Sequence, residues 1–247
     1  PAGTRIAYHV IRLGAGSELY LMNVDGSNPV QLTTNPERDE RPSWFPDNDQ
    51  IAFLSRRNGH DDIWVTSLKS GRERKLVSLG QDVTFPQVSP DGKQILFNSK
   101  KGGTTNLWVI PVEGGEAKQL TFDKEAMGFG CWSRDSKNIV VELKRGDNNY
   151  LAKIPASGGE PVQLNSGEGQ SWPFSFSPDG DKIGFAGFRS GAWNVWWYSL
   201  SSKQEKQVTK YTKLNAFVRY PSWSPLGNQI VYEYAETTGN IWMINLK

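Results

Sequence analysis

The chain has 247 residues, with 28 lysines and arginines against 26 aspartates and glutamates, and a formal net charge of +2. A charge so close to neutrality gives no electrostatic signature of binding to nucleic acid or to a membrane surface. No apolar run approaches the ~18 residues of a membrane span. The single cysteine excludes an intrachain disulfide.

The predicted elements follow from an internal repeat. A turn followed by an isoleucine reads SPDGKQI from Ser89, SPDGDKI from Ser177 and SPLGNQI from Ser224, with looser copies from Trp44 and Trp132. The isoleucine recurs at intervals of 44 to 47 residues, and three other apolar marks keep the same register. A recurrence of this kind is the signature of a repeat architecture.

Each repeat predicts four short strands, which in the third repeat read FPQVS, QILFNS, NLWVIPV and AKQLTF. Four-stranded units at this spacing predict an all-β fold, a six-bladed β-propeller of four-stranded antiparallel blades. The predicted repeats cover approximately residues 1–43, 44–87, 88–131, 132–175, 176–222 and 223–247 of one domain. Because the chain begins in the turn of its first repeat and ends at the third strand of its last, we expect the first and last blades to be incomplete.

The repeat resembles the PD40 repeat, a WD40-like unit of TolB-like propellers. The stretches SELYLMNVDGSNPVQLT, RPSWFPDNDQIAFLS and SPDGKQI carry this resemblance. The fourth repeat departs from the pattern at Arg134, Ser136 and Ala152, and the separate N-terminal α/β domain of TolB is absent from this chain. The resemblance implies a protein-binding propeller in the periplasm or outside the cell. It also extends to propellers attached to hydrolases.

Residues that carry chemistry are sparse. The two histidines, His9 and His60, lie in different repeats and exclude a three-His or His-Cys metal site. There is no G-x-S-x-G elbow, dinucleotide-binding loop or P-loop. We therefore predict no cofactor, no metal and no catalysis. Carboxylates in the loops leave a glycan-active propeller as an alternative. A glycan-binding propeller and the accessory domain of a larger hydrolase also remain open.

Strand order predicts which face holds the binding site. The loops between second and third strands, and those between repeats, share the face opposite the Pro-Asp-Gly turns. Tryptophans at the repeat marks are assigned to the core, as is Trp197 within a strand. The predicted binding residues are the surplus aromatics Trp172 and Trp193, which we place in two loops of the fifth repeat, and Tyr211 and Phe217 with Arg219 in the following loop. A charged sector away from them is formed by Glu40, Arg41 and His60. A hydrophobic minicore is the alternative for the aromatic group.

These residue types are enriched at protein-binding hot spots. The predicted partner is a protein, with a peptide or a carbohydrate as alternatives. Nucleic acid and direct insertion into a membrane are not expected.

Overall fold

The computed structural model describes residues 2–12, 16–122, 127–166 and 169–237. All regular elements in these ranges are strands, which pair antiparallel in six sheets. The described residues contain no helix with the length and apolarity needed to cross a membrane. The all-β prediction and the propeller of four-stranded antiparallel sheets are confirmed.

The sheets follow one another along the chain, and we number them 1 to 6. Their strands are β1 (Arg5–Arg12), β2 (Gly16–Asn23) and β3 (Val30–Gln31) in sheet 1; β4 (Asp39–Trp44), β5 (Gln50–Ser55), β6 (Asp62–Ser67) and β7 (Glu73–Val77) in sheet 2; β8 (Val83–Val88), β9 (Gln94–Ser99), β10 (Asn106–Pro111) and β11 (Lys118–Gln119) in sheet 3; β12 (Met127–Trp132), β13 (Asn138–Arg145), β14 (Asn148–Pro155) and β15 (Val162–Gln163) in sheet 4; β16 (Gln170–Phe176), β17 (Lys182–Arg189), β18 (Ala192–Ser199) and β19 (Glu205–Gln207) in sheet 5; and β20 (Ala216–Trp223) and β21 (Ile230–Glu236) in sheet 6.

The hydrophobic core lies between consecutive sheets. Four clusters fill the junctions from sheet 2 to sheet 6, and each draws residues from the two sheets that it joins. The second strand of a sheet is buried on both faces, so Phe53, Phe97 and Phe185 are fully buried. Trp108, assigned to the core from its place in the repeat, is 7% exposed.

The recurring turn is closed by its own side chains. Ser89 Oγ donates to Asp91 Oδ1 at 2.6 Å and accepts from the backbone N–H of Gln94 at 3.0 Å. Ser177 and Asp179 repeat the first contact at 2.5 Å. These hydrogen bonds satisfy backbone donors that the tight turn leaves unpaired, which explains why serine and aspartate recur there.

The first and last sheets are neighbours in space. A Cβ on Gly92 would lie 2.9 Å from Pro46 Cγ, in the turn of the preceding sheet. The same contact recurs between Gly3 in the turn before β1 and Pro225 in the turn of sheet 6, again at 2.9 Å. The described sheets therefore meet end to end around a central axis.

The number of complete blades stays a prediction. Sheets 2 to 5 have four strands, whereas sheet 1 has three and sheet 6 has two in the described residues. The predicted third strand of the last repeat, with Trp242, lies outside those residues. In sheets 2 to 6 the first strand is innermost, so the Pro-Asp-Gly turns share one face, the turn face. The hairpins between second and third strands and the connections between sheets share the opposite face, the loop face.

In four sheets a lysine or arginine at the loop face lies over an aromatic ring. The ring belongs to the third strand of the repeat, which is β2 in sheet 1. Arg57 Cζ lies 4.6 Å from the ring centroid of Trp64, and Lys101 Nζ lies 5.5 Å from that of Trp108. The other two pairs are Arg12 with Tyr20 and Arg189 with Trp196. Such contacts contribute ~0.5–1 kcal/mol at exposed sites and about 2 kcal/mol where the pair is desolvated. The basic residue recurs every 44 residues from Arg57 to Arg189, a signal that the sequence reading missed.

Candidate functional site: a ring of side chains at the centre of the propeller

The innermost strand of each sheet from 2 to 6 is interrupted by a bulge. Pairing with the second strand shifts register within β4, β8, β12, β16 and β20. The residues inside these shifts include Arg41, Phe85, Phe129, Phe174 and Tyr220. A bulge re-aims the side chain of its unpaired residue, and such irregularities are common beside functional sites. We call these five side chains the channel ring.

The backbone is strained at three of the ring positions. The φ angles of Arg41, Phe85 and Tyr220 are 56°, 54° and 55°, in the left-handed region that non-glycine residues rarely adopt. Each of the three precedes a proline, which has no N–H to continue the strand ladder. The Xaa-Pro step therefore interrupts the regular pairing of the innermost strand with the second strand at the ring position.

The ring side chains contact one another in a closed circuit. Arg41 Cζ lies 4.1 Å from the centroid of Phe85, whose ring lies 4.3 Å from that of Phe129. Phe129 and Phe174 are 4.9 Å apart, and Phe174 and Tyr220 are 5.2 Å apart. Arg41 Nη1 closes the circuit by donating to Tyr220 Oη at 2.7 Å. Since the five side chains come from five innermost strands, the ring constricts the central channel of the propeller.

The predicted charged sector is not separate from the aromatic one, and that expectation is wrong. Arg41 packs its guanidinium against Phe85 and Tyr220, because the bulge turns its side chain towards the axis. Glu40, the preceding residue, points the other way and accepts from Ser17 Oγ of sheet 1 at 2.8 Å.

His60 lies apart from Glu40 and Arg41, in the hairpin between β5 and β6. Its Nε2 lies 3.3 Å from Asp62 Oδ1 and 3.3 Å from Ser78 Oγ. The structure therefore brings Arg41 to the ring and leaves His60 at the loop face of sheet 2.

The predicted aromatic residues form one packed group that extends outward from the ring. Trp172 contacts Phe129 at 5.1 Å and Trp193 at 4.1 Å between ring centroids. Tyr211 and Phe217 pack against the same cluster at the junction of sheets 5 and 6. Trp193 is only 6% exposed, so it packs against Trp172 and presents little surface of its own. We call Trp172, Trp193, Tyr211 and Phe217 the aromatic flank.

Two positions differ from the sequence reading, which placed Trp172 and Trp193 in loops. Both lie in strands, β16 and β18. The hairpin before β18 is a two-residue turn in which Ser190 and Gly191 have φ angles of 50° and 82°. Such a turn matches the twist of the flanking strands and extends their pairing to Ala192. Arg219 lies in β20, with Cζ 5.4 Å from the centroid of Phe217.

A polar residue of the second strand lies beside the ring at equivalent positions in four sheets. These residues are His9, Asn98, Glu142 and Glu233, each three residues after the repeat isoleucine. Burial lowers the pKa of His9, which lies in the field of Glu40, Arg41 and Glu233. Burial also raises the pKa of Glu142 to about 7. The sequence signal, a polar residue in an apolar strand at a fixed spacing, was present and was missed.

Two observations bear on metal and thiol chemistry in the described residues. Within the described part of the chain, no three His, Cys, Asp or Glu side chains are grouped to hold a metal ion. The thiol of Cys131 is buried, and burial raises its pKa well above the ordinary value. Since the thiolate is the reactive form, this cysteine is inert. The ring offers aromatic surface and one guanidinium.

Comparison with known proteins places this geometry among propellers. The family described as "Tricorn protease N-terminal beta propeller domain" matches residues 58–175. The Tol-Pal system protein TolB of Blochmanniella pennsylvanica is 33% identical over 78 residues, 30% of this chain and 17% of that protein. TolB of Zymomonas mobilis is 39% identical over 67 residues, 26% of this chain and 14% of that protein. The chain thus matches less than a fifth of the length of these relatives.

Solved structures resemble the chain over nearly its whole length. A putative TolB from Agrobacterium tumefaciens superposes with a TM-score of 0.79 at 20% identity, covering 94% of this chain and 79% of that one. Kuenenia stuttgartiensis hydrazine synthase gives 0.77 at 14% identity, covering 96% and 42%. Oligogalacturonate lyase from Vibrio parahaemolyticus gives 0.65 at 12% identity, covering 91% and 66%. Together the matches show that the chain has a β-propeller fold similar to that of TolB.

Proposed function

We propose that the chain is a six-bladed, non-catalytic propeller that binds a protein partner through the channel ring and the aromatic flank. The observation that carries this proposal is the closed contact circuit of Arg41 with four aromatic side chains at bulges. The contact of Gly3 with Pro225 supports six blades, because it joins sheet 6 to sheet 1 as other sheets are joined. The proposed domain spans residues 1–247.

Several physical features of the ring favour recognition. Arginine and tyrosine are enriched among residues that dominate binding energy, and tyrosine presents its planar surface with little rotamer entropy to lose. The bulges hold these side chains in place before any partner arrives, which lowers the ordering cost of association. Strained backbone of this kind clusters at functional sites.

Two observations support a protein as the partner. The Tol-Pal proteins TolB among the relatives support a protein partner. A peptide segment that enters the channel mouth would meet the Arg41 guanidinium, which favours an acidic or aromatic residue at its tip. The resemblance supports a periplasmic or secreted location. A glycan ligand is the alternative outcome of the test below.

The experiment compares capture by the full chain and its variants from an extract of the source organism. Tyr220→Phe removes only the hydroxyl that accepts from Arg41, and Arg41→Gln removes the guanidinium. Leu226→Ala, at a site 86% exposed on the turn face, is the matched control. We expect one protein to be captured equally by wild type and Leu226→Ala, and at least ~10-fold less by Arg41→Gln.

Equal capture by wild type and Arg41→Gln would place the binding surface elsewhere. A glycan array addresses the alternative with the same variants. Glycan binding that is lost in Arg41→Gln, with no protein captured, would make the ring a carbohydrate site.

A further inference from the structure

A long connection between sheets 5 and 6 carries part of the aromatic flank. The interval from Val208 to Trp223 is three residues longer than the corresponding interval from Leu120 to Trp132. Residues 209–215 form most of this connection on the loop face, and we call them the anchored loop. A surface connection is mobile unless its backbone and side chains are bonded to the scaffold, so the contacts of this loop decide what it can do.

Asn194 of β18 clamps the first half of the anchored loop. Asn194 is 3% exposed. Its Oδ1 accepts from the backbone N–H of Tyr211 at 2.7 Å, and its Nδ2 donates to the carbonyl of Tyr211 at 3.0 Å. Asn194 Oδ1 also accepts from Thr209 Oγ1 at 2.9 Å. One buried amide therefore holds both backbone groups of a residue of the aromatic flank.

Sheet 6 holds the second half of the anchored loop. The carbonyl of Asn215 accepts from the backbone N–H of Thr237 at 2.9 Å, and Asn215 Nδ2 donates to the carbonyl of Thr237 at 2.8 Å. Lys213 Nζ donates to Glu236 Oε1 at 2.7 Å. Because the loop is fixed to both neighbouring sheets, little conformational entropy is lost when another molecule contacts it.

An apolar path leads from the aromatic flank to the crest of the anchored loop. Trp193 of the flank lies 5.4 Å from Phe188 between ring centroids. Gly191 is in the hairpin that joins these two residues, and a Cβ there would lie 3.2 Å from Leu214 Cδ2. Leu214 is 79% exposed. The apolar surface that begins at the flank therefore continues onto the loop face and ends at Leu214.

We propose that the anchored loop is the outer contact of the binding site, where Leu214 enters an apolar pocket of the protein partner and Asn194 is the positioning residue that holds the loop. A single exposed leucine is ordinary on a protein surface, but this one is held in place and is continuous with the aromatic flank. An aliphatic side chain fits an apolar pocket of a protein and not the hydroxyl-covered surface of a glycan. The exposed Lys210 on the same loop favours carboxylates at the rim of that pocket.

The role of the loop in binding rests on the proposed function, whereas the clamp can be tested without a partner. The first test measures amide hydrogen exchange of the ¹⁵N-labelled full chain by NMR. In Asn194→Ala the amide of Tyr211 loses its acceptor, so it should exchange at least ~10-fold faster than in wild type, while the amides of β9 keep their rates. Asn194→Asp retains the acceptor oxygen, so part of the protection of Tyr211 should return.

Two results would overturn the clamp. One is a Tyr211 amide whose exchange rate is the same in Asn194→Ala and wild type. The other is faster exchange in every sheet alike, which is what a general loss of stability would give. Leu214→Ala keeps the proposal testable if Asn194→Ala does not fold, because it removes an exposed side chain and leaves the clamp in place.

The second test measures binding by the loop. The protein captured by wild type is identified by mass spectrometry, purified and titrated against each variant by calorimetry. Leu214→Ala should weaken binding at least ~5-fold, because burial of a leucine contributes more than burial of an alanine. Leu226→Ala, at a site 86% exposed on the turn face, is the matched control and should bind as wild type does. Asn194→Ala should also weaken binding, and its effect combined with Leu214→Ala should be less than additive, since both act through one loop.

The outcomes separate this inference from the proposed function. Weaker binding by Arg41→Gln with unchanged binding by Leu214→Ala overturns the inference alone. The reverse result overturns the proposed role of the channel ring and supports the anchored loop as the contact. Capture of no protein by wild type overturns both. A wild-type dimer in sedimentation that Leu214→Ala abolishes, or glycan binding that Leu214→Ala abolishes, would identify a different occupant and overturn the inference.

Discussion

Replacing Glu142 with glutamine should change how the stability of the protein depends on pH. The folded-state pKa is raised from 4.5 to about 7 by burial. A raised pKa means that the folded state binds a proton more tightly than the unfolded state does. The stabilisation that this tighter proton binding gives to the folded state is therefore fully present below the unfolded pKa. It is lost as pH rises through the folded pKa.

The magnitude follows from the size of the shift. A shift from 4.5 to about 7, at ~1.36 kcal/mol for each unit, corresponds to about 3 kcal/mol. Glu142 is 8% exposed, so little of this value is screened by solvent. Glutamine cannot ionise, and its altered hydrogen bonds contribute a term that does not depend on pH. The free energy of unfolding of Glu142→Gln minus that of wild type should therefore grow by about 3 kcal/mol as pH rises.

The assay is urea unfolding of both proteins, followed by tryptophan fluorescence, at intervals from about pH 4.5 to about pH 8.5. Taking the difference between the two proteins cancels the titration of groups that are independent of position 142, among them His9. A difference that stays constant within ~0.5 kcal/mol would show that the carboxylate is solvated or paired in the folded state.

Three further substitutions test the frame around the site. Trp108→Ala should cost ~3–5 kcal/mol of unfolding free energy in urea titrations, as large core truncations do, and unchanged stability would contradict its buried position. Gly128→Ala should lower the melting temperature because its Cβ collides with Glu142, and adding Glu142→Ala should recover part of the loss; no recovery would mean a different cause. Gly3→Ala should cost more than Gly26→Ala in the same melts, since both have positive φ but only Gly3 has a neighbour within 4 Å; equal losses would argue against the contact between the first and last sheets.

The repeat was readable because its marks are residues that must be buried. Ile51, Ile95, Ile139 and Ile183 are all 0% exposed, as the second strand of each sheet packs against both neighbours. An apolar β-branched side chain is favoured at such a position in every sheet, so the spacing survives in the sequence. The fold class could therefore be predicted from four marks alone.

The channel ring was hidden for the opposite reason. Arg41, Phe85, Phe129, Phe174 and Tyr220 face the axis rather than the junctions between sheets, so they lie outside the buried marks that define the repeat, although four of the five are aromatic. The bulge of β16 also lies one residue closer to the repeat isoleucine than the bulges of the other inner strands do. The ring residues therefore do not keep a constant spacing in the sequence. The usable signal was the proline that follows three of these residues, because an Xaa-Pro step inside a predicted inner strand indicates a bulge.

The sequence identified residues of the aromatic flank, but by reasoning that was only partly correct. The sequence reading identified Trp172 and Trp193 as surplus to the repeat, and the structure places them together. Pattern alone could not show that Trp193 is buried, because a two-residue hairpin turn and a longer loop contain similar residues. The direct contact between Trp172 and Phe129 was also beyond reach, since it joins the first strands of two different sheets.

Among the inner strands of the described residues, non-glycine residues with positive φ occur only in the channel ring. Three non-glycine ring residues with positive φ cost on the order of 1–3 kcal/mol each, and nothing in sheet pairing requires that conformation. The hydrophobic clusters between sheets hold the strands on either side of each bulge, so the strain does not relax into the ladder. A scaffold selected for stability alone would have regular inner strands here. The strain at Arg41, Phe85 and Tyr220 therefore supports the proposed role of the channel ring, and it is the reason to look there first for the contacts of a partner.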